Sequence, residues 1–200
     1  MYSNILLDRR SGLGIVSYRG LTEGIQIIAD LTRTKSRELG PGPGLGYDHM
    51  YKYRGDFVEH QANGKIVIKD TDRNWELARQ GYMKTYLLDK DFKDTALLDW
   101  WVFIHDIKKV SGKHRHQGGL ALFIITGHGA TEVNGEIIEW REGDCVMLPM
   151  DPRGLEHKHW NYGTEPAQWL AFVYLPFFDH VASELQQIEI SPEFQARQNR

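Results

Sequence analysis

Residues 112–117 have the sequence Gly-Lys-His-Arg-His-Gln, and residues 157–159 have the sequence His-Lys-His. In each stretch, two histidines lie two positions apart. Alternate residues of a β-strand point to the same face, so each stretch would present two imidazoles on one side of a strand. Imidazole binds zinc, iron, copper and nickel. One such pair is common by chance, but two pairs on strands that line one cavity indicate a metal site.

The chain around these pairs has the pattern of an all-β domain. Asn134-Gly135 lies between two strand-like segments and is the strongest hairpin signal, because both residues accept the positive φ angles of a type I′ turn. The predicted strands are 97–107, 120–125, 136–140, Cys145–Leu148 and 169–175. Short strands at this spacing are typical of a sandwich or a barrel.

The first histidine pair resembles the first of two motifs that characterise the cupin superfamily. In that motif His-x-His is followed by a glutamate, and the glutamate by six residues and a glycine. His114, His116 and Gly127 have the expected spacing. Leu120 takes the place of the glutamate, and Gly112 lies closer to the pair than the glycine expected upstream.

The second histidine pair resembles the second cupin motif, in which a glycine, five residues and a proline precede a Gly-x-x-His-x-x-x-Asn segment. Gly143 and Pro149 match the first part, and Gly154, His157 and Asn161 match the second. Three extra residues separate the two parts. The resemblance covers residues 100–175 and is weak or absent before them.

The resemblance implies a fold and a metal site. The expected fold is all-β, a double-stranded β-helix (jelly-roll) barrel, with an N-terminal arm that contains a short helix. The expected metal ligands are His114, His116 and His157. Because Leu120 cannot bind a metal, the protein would add no negative charge to the ligand set, and the ion would stay a strong Lewis acid with positions open to other ligands.

Three histidines without the glutamate are similar to the sites of two cupin groups that use Fe(II). These are the gentisate and salicylate type of ring-cleaving dioxygenases and the thiol dioxygenases. Residues 145–150 and 157–161 look more like the gentisate group. We therefore predict an Fe(II) dioxygenase that acts with dioxygen on a small metal-chelating organic substrate, such as a hydroxylated aromatic acid.

Two other functions fit the same residues. A lyase or isomerase would use Zn(II), Fe(II), Ni(II) or Mn(II) as a Lewis acid, with a nearby base that removes a proton next to a carbonyl. A non-catalytic cupin would only bind a small molecule. Fold alone does not separate these functions, because one barrel supports many chemistries.

Further residues are predicted around the metal. His159 shares a face with His157, and it is a candidate catalytic residue that fits three roles: fourth ligand, proton shuttle or hydrogen-bond donor to the substrate. Leu120 and Leu122 share parity on one strand and would form an apolar wall. The complete set of predicted pocket residues is Leu120, Leu122, His105, Gln117 and Asn161.

The chain is predicted to have three parts: an arm and extension over residues 1–90, the barrel over 91–180 and a tail over 181–200. A helix is expected over 22–39, because Thr22 can cap it and Gly40-Pro41 ends it. Three shorter elements are also expected: a strand over 64–68, one or two helical turns over 74–81, and a closing helix over 177–187.

Composition excludes several classes of partner. The net charge is −3 and no basic block is present, which argues against nucleic acid and anionic membranes as partners. No apolar run is long enough to span a membrane, and the first residues lack the pattern of a signal peptide. The single cysteine, Cys145, fits a reducing compartment, most simply the cytoplasm. The resemblance also implies a homodimer.

Overall fold

The computed structural model describes residues 15–16, 27–28 and 46–199. The chain divides into two compact units, residues 1–59 and residues 60–200. In the first unit, strand β1 (Ile15–Val16) pairs antiparallel with strand β2 (Ile27–Ile28). Helix α1 (Gly46–Asn63) begins in the first unit and ends in the second.

The second unit contains a six-stranded sheet in which all neighbouring strands are antiparallel. In sequence order its strands are β3 (Glu76–Ala78), β4 (Gly81–Leu87), β5 (Trp100–Ile107), β7 (Leu120–Thr126), β10 (Cys145–Leu148) and β12 (Ala167–Tyr174). Across the sheet the order is β10-β7-β12-β5-β4-β3. The crossovers between distant strands are those of a jelly roll.

A five-stranded antiparallel sheet completes this unit. Its strands are β6 (Lys113–His116), β8 (His128–Val133), β9 (Glu136–Arg141), β11 (Leu155–Asn161) and β13 (Gln186–Glu189). Across the sheet the order is β13-β6-β11-β8-β9. The predicted all-β jelly roll is confirmed, and its strands form two sheets rather than one closed ring.

The core lies between the two sheets and joins their inner faces. Strand β12 shows why: Ala167, Trp169, Ala171 and Val173 are buried, and the residues between them are more exposed. This alternation is the period of a strand with one buried face. The other core residues are Phe103, Ile107, Leu122, Ile124, Trp140, Val146, Leu148 and Leu155. Burial of each large apolar side chain stabilises the fold by about 1.5–3 kcal/mol.

The hairpin between β8 and β9 forms as predicted. Asn134 has a φ of 50° and Gly135 a φ of 91°, so both central residues are in the left-handed region that a type I′ turn requires. The Asn134 side chain also accepts a hydrogen bond of 2.9 Å from the backbone N–H of Glu156. The turn is therefore tied to strand β11, which carries the second histidine pair.

The helix of the N-terminal arm is present, but its predicted position is wrong where the structure describes it. Ile27 and Ile28 belong to strand β2 instead of a helix over 22–39, and the other residues of that range lie outside the described residues. Two adjacent β-branched side chains favour a strand. The helix that is described, α1, begins at Gly46.

Three local predictions in the second unit are also wrong, and in two of them, residues 74–81 and 177–187, strand pairing overrides a weak local preference. Residues 74–81 contain strand β3 and a turn, not a helix. Residues 64–68 form no regular strand; only Lys65 makes an isolated bridge, to Thr95. The closing helix is shorter than predicted: α2 covers Leu175–His180, and strand β13 then pairs with β6.

A last helix, α3 (Pro192–Gln198), begins after Ser191, whose side chain accepts a hydrogen bond from the N–H of Phe194. In the described ranges no helix has both the length and the apolar character needed to cross a bilayer. The predicted division at residues 90 and 180 stays a prediction. Strands β3 and β4 precede residue 90 and pair within the six-stranded sheet.

Candidate metal centre

Three histidines from two paired strands meet on the inner face of the five-stranded sheet. His157 on β11 lies directly opposite His114 on β6, and Leu155 lies opposite His116. The imidazole centroids are 4.0 Å apart for His114 and His157, 4.7 Å for His116 and His157, and 5.3 Å for His114 and His116. The strand period therefore brings both predicted stretches to one point.

The spacing of the ring nitrogens suits one metal ion. One nitrogen from each of His114, His116 and His157 lies within 4.8 Å of the others. Metal–nitrogen bonds of about 2.1 Å place ligand nitrogens about 3.0–3.5 Å apart. Small side-chain rotations reach that separation, so the residues fit a bound cation.

The hydrogen bonds of the three rings differ. His157 donates from Nδ1 to the carbonyl of Leu155 over 3.4 Å, which leaves its Nε2 as a ligand. The Nδ1 of His114 is buried and has no hydrogen-bond partner in the described part of the chain. An unpaired buried nitrogen is costly unless something binds it, and a cation would do so.

His116 is the ligand that must change when a metal binds. Its Nδ1 accepts a hydrogen bond of 2.9 Å from the backbone N–H of Gly118, so its neutral ring carries the proton on Nε2. If His116 coordinates through Nε2, the proton moves to Nδ1, which can then no longer accept a hydrogen bond. If it coordinates through Nδ1, the lone pair that accepts from Gly118 binds the metal instead. Either mode breaks the bond to Gly118.

Burial keeps these imidazoles uncharged. Removal from water lowers the pKa of His116 to about 4. It also lowers the pKa of His157 to about 3, with the neighbouring His116 as the second cause. Burial first, and then the neighbouring histidines, hold the pKa of His114 well below its usual value. Neutral imidazole is the form that binds metals, so protons do not compete at neutral pH.

The three rings open onto a cavity of about 320 Å³ between the sheets. Leu120 and Leu122 form part of its wall. No aspartate or glutamate within residues 46–199 lines the cavity. The place of the cupin glutamate is therefore apolar here, and nothing else in the described cavity wall supplies a carboxylate.

Two further predicted residues, His159 and His105, also line the cavity. The ring of His159 is buried, and its centroid lies 5.5 Å from that of His157 and 6.4 Å from that of His105. His105 donates from Nε2 to the carbonyl of Gln80 over 3.1 Å, so its neutral ring keeps Nδ1 as an acceptor. Burial lowers the pKa of His105 to about 4.

Gln117 and Asn161 are not among the residues that line the cavity. The Gln117 side chain accepts from the N–H of Glu184. Asn161 lies at the end of β11, where its amide donates to the carbonyls of Ile107, Lys108 and Glu165. Both side chains are therefore engaged in holding loops, which the strand parity of Asn161 could not show.

The sequence did not single out several residues that line the cavity, including Arg79, Trp169 and Phe178. Trp169 had a usable signal, because it alternates with the small residues Ala167 and Ala171 on one strand face. Arg79 had none, since it lies in the turn between β3 and β4 and reaches the cavity only through the pairing of those strands.

Comparisons with known proteins agree with this architecture. Residues 103–173 match the family model of the cupin domain. A gentisate 1,2-dioxygenase from Streptomyces sp is 33% identical over 95 residues, which are 43% of this chain and 25% of that protein. This chain therefore spans about a quarter of the length of the curated relative that it matches.

Solved structures with a similar fold include three proteins at lower identity. A salicylate 1,2-dioxygenase from Pseudoaminobacter salicylatoxidans has a TM-score of 0.40 and 22% identity, over 48% of this chain and 27% of that chain. A cupin-like protein from Thermotoga maritima has a TM-score of 0.44 and 15% identity, over 64% of this chain and 92% of that chain. A polyketide cyclase from Streptomyces resistomycificus has a TM-score of 0.45 and 14% identity, over 64% of this chain and 88% of that chain.

Proposed function

We propose, from the premise that residues 103–173 of this chain form a cupin domain, that the protein is a metal-dependent enzyme. The observation that carries the proposal is that three imidazoles, those of His114, His116 and His157, face one cavity with their nitrogens within 4.8 Å of one another. More finely, we propose an Fe(II) dioxygenase that acts on a small metal-chelating substrate.

Iron is proposed for two reasons. The chain is similar to a gentisate 1,2-dioxygenase over 95 residues, and the cavity wall offers no carboxylate in the described residues. When bound, Fe(II) would offer open positions at which substrate and dioxygen meet, and it would relay electrons from the substrate to dioxygen. Zn(II), Ni(II) and Mn(II) remain the metals of the alternative functions.

The cavity favours a flat, partly apolar substrate with oxygen atoms at one edge. Its volume of about 320 Å³ is at the lower end of the range for small-molecule sites. Phe103, Trp101 and Trp169 are among the aromatic residues that line it. The indole N–H groups of both tryptophans are buried without a partner within residues 46–199 and suit acceptor atoms on a ligand. A hydroxylated aromatic acid has this chemistry.

The chain's own residues would hold and shield the substrate. The apolar wall around Leu120 and Leu122 excludes water, which strengthens polar contacts inside the cavity. His105 offers an acceptor at Nδ1 that can take a hydrogen bond from a substrate hydroxyl. Arg79 lies at the cavity wall with no ion pair in the described part of the chain, and its charge suits a carboxylate.

Oxygen consumption tests the proposal. The protein is loaded with Fe(II) without oxygen, and uptake of dioxygen is then measured with gentisate, salicylate and catechol. We expect substrate-dependent uptake that is lost in His114→Ala and His157→Ala. His128→Ala is the matched control, because His128 is exposed and does not line the cavity.

The same assay separates the alternatives. Product formation from a chelating substrate without oxygen uptake would show a lyase or isomerase and overturn the dioxygenase. Saturable binding of these molecules with neither uptake nor product would indicate a binding protein. Uptake that persists unchanged in His157→Ala would contradict the proposed site itself.

A further inference from the structure

A chain of hydrogen bonds reaches the cavity from the outer strand of the five-stranded sheet. The indole N–H of Trp140 on β9 donates to Thr131 Oγ1 over 2.9 Å. Thr131 Oγ1 lies 2.8 Å from Nδ1 of His159, and the two residues are directly opposite each other on β8 and β11. All three side chains are buried, and Thr131 has an exposure of 0%.

The chemistry of the three groups sets the direction of these bonds. An indole nitrogen only donates, so Thr131 Oγ1 accepts from Trp140. The hydroxyl proton of Thr131 then needs an acceptor of its own. Among the described residues its oxygen contacts only one group that can accept, Nδ1 of His159. If Nδ1 of His159 donated to Thr131 Oγ1 instead, the hydroxyl proton of Thr131 would be buried without a partner, which is unfavourable.

The direction of the bonds fixes the tautomer of His159. A ring that accepts at Nδ1 and is neutral carries its proton on Nε2. That Nε2 is buried, and it has no hydrogen-bond partner within residues 46–199. His159 lines the cavity, and the backbone N–H of His159 is held by Ser111 Oγ over 2.9 Å. The backbone and the ring are therefore both held in place.

We propose that Thr131 and Trp140 are positioning residues that hold His159 as an Nε2–H tautomer, so that His159 donates to an oxygen atom of the substrate. His159 is not a metal ligand in this proposal, because its ring is not part of the cluster whose nitrogens lie within 4.8 Å of one another. The inference rests on the proposed function, because it concerns the same cavity. It removes two of the three roles that the sequence leaves open for His159. The indole N–H of Trp169, whose ring centroid is 5.1 Å from that of His159, adds a second unpaired donor beside it.

Two neighbouring donors define the ligand chemistry of this part of the cavity. They fit an atom group that accepts hydrogen bonds, such as a carboxylate or a phenolate oxygen, and they do not fit an amine. A neutral alkyl group would leave both donors unpaired. The substrate would therefore place an oxygen at His159 while its chelating atoms lie toward the three-histidine cluster.

Nitrogen NMR of the metal-free protein tests the tautomer without any activity. Long-range proton–nitrogen spectra distinguish a protonated from an unprotonated ring nitrogen, and His159→Gln assigns the signals. We expect Nε2 protonated in the wild type and in Thr131→Ser, and a mixture of tautomers in Thr131→Val. A wild-type ring protonated at Nδ1, or a Thr131→Val spectrum identical to the wild type, would overturn the proposal.

Two binding measurements complete the test. Benzoate should shift the His159 Hε2 signal, and benzylamine should not; absence of a shift with benzoate, or a shift with benzylamine, contradicts the donor role. His159→Gln should keep the iron content of the wild type, whereas His157→Gln should lose it. If a folded His159→Gln variant loses its iron, this inference is overturned and the proposed function stands. If His157→Gln retains its iron, the proposed function is overturned.

Discussion

At the scale of single residues, the candidate site depends on which nitrogen of each imidazole carries a proton. The five histidines of the cavity have no carboxylate beside them in the described wall, and backbone and hydroxyl groups set the tautomers of His105, His116 and His159. His105 is held as an acceptor toward the cavity and His159 as a donor, although both are equally buried. The same residue type thus takes different roles through its neighbours.

Metal binding should release the backbone of Gly118. Because the N–H of Gly118 donates to the Nδ1 that a coordinated His116 can no longer offer, we expect its amide to exchange with solvent faster after Fe(II) or Zn(II) is added. Hydrogen exchange followed by NMR measures this. The amide of Gly119, which donates to the carbonyl of Leu148, is the internal control. Equal protection of Gly118 with and without metal would contradict coordination through His116.

At the scale of secondary-structure elements, the β8–β9 hairpin sets the register of the strands that hold Thr131 and Trp140. Gly135 has a φ of 91° and no heavy atom near the place of an added Cβ, so only backbone strain opposes a side chain there. We expect Gly135→Ala to lower the free energy of unfolding by about 1–2 kcal/mol in urea denaturation. Gly135→Asn should lose less, because asparagine tolerates this region. Equal losses in both variants would contradict the strain.

The segment before β5 is held by the Arg73 side chain, which is buried. Arg73 donates to Asp94 over 2.8 Å and to the carbonyl of Tyr86, and its guanidinium lies 3.9 Å from the centroid of the Phe92 ring. The hydrogen bond from Arg73, and then that from Lys65, lowers the pKa of Asp94 to about 2.

This pKa predicts a dependence of stability on pH. Because the folded pKa of Asp94 is below its unfolded value of about 3.9, its ionisation stabilises the fold above about pH 4, and the gain is lost as the pH falls toward 2. Asp94→Asn should therefore lower the unfolding midpoint at pH 6 and differ little from the wild type near pH 2. Asp91→Asn is the control, since Asp91 makes no ion pair within the described ranges. A constant difference at every pH would contradict the ion pair.

The elements also show what the sequence could reveal. The strands with strict alternation, such as β11 and β12, and the Asn134-Gly135 turn were predictable because local pattern and tertiary environment agree there. Strands β3 and β13 were not, because they are short edge segments whose only support is pairing with a distant neighbour. Strand parity predicted that the two histidine pairs face one cavity, and the resemblance to the cupin motifs singled out His114, His116 and His157. Arg79 was not predictable, because its place depends on the pairing of β3 with β4.

At the scale of the whole molecule, one sheet face remains apolar and exposed. On the outer face of the six-stranded sheet, Phe172, which has an exposure of 41%, lies beside Ala121, and Ala121 lies beside Met147, which has an exposure of 73%. Such a contiguous apolar face is typical of an interaction surface. It supports the expectation of a homodimer that the family resemblance raised.

Sedimentation equilibrium tests that expectation. We expect the wild type to sediment as a dimer and Phe172→Lys to sediment as a monomer, because a buried lysine would disrupt an apolar contact. Tyr162→Lys is the matched control, since Tyr162 is exposed just beyond β11 and lies off this sheet face. A monomeric wild type, or a Phe172→Lys variant that stays dimeric, would show that this face is not the contact.

The most direct test of the account is the ligand set of the metal itself. Protein purified without a chelating tag and loaded with Fe(II) is examined by metal analysis and X-ray absorption. We predict one ion per chain with three imidazole nitrogens at about 2.0–2.2 Å, and loss of the ion in His114→Ala, His116→Ala and His157→Ala but not in His128→Ala. A protein that binds no metal at neutral pH, or an ion that remains after His157→Ala, would contradict the central claim.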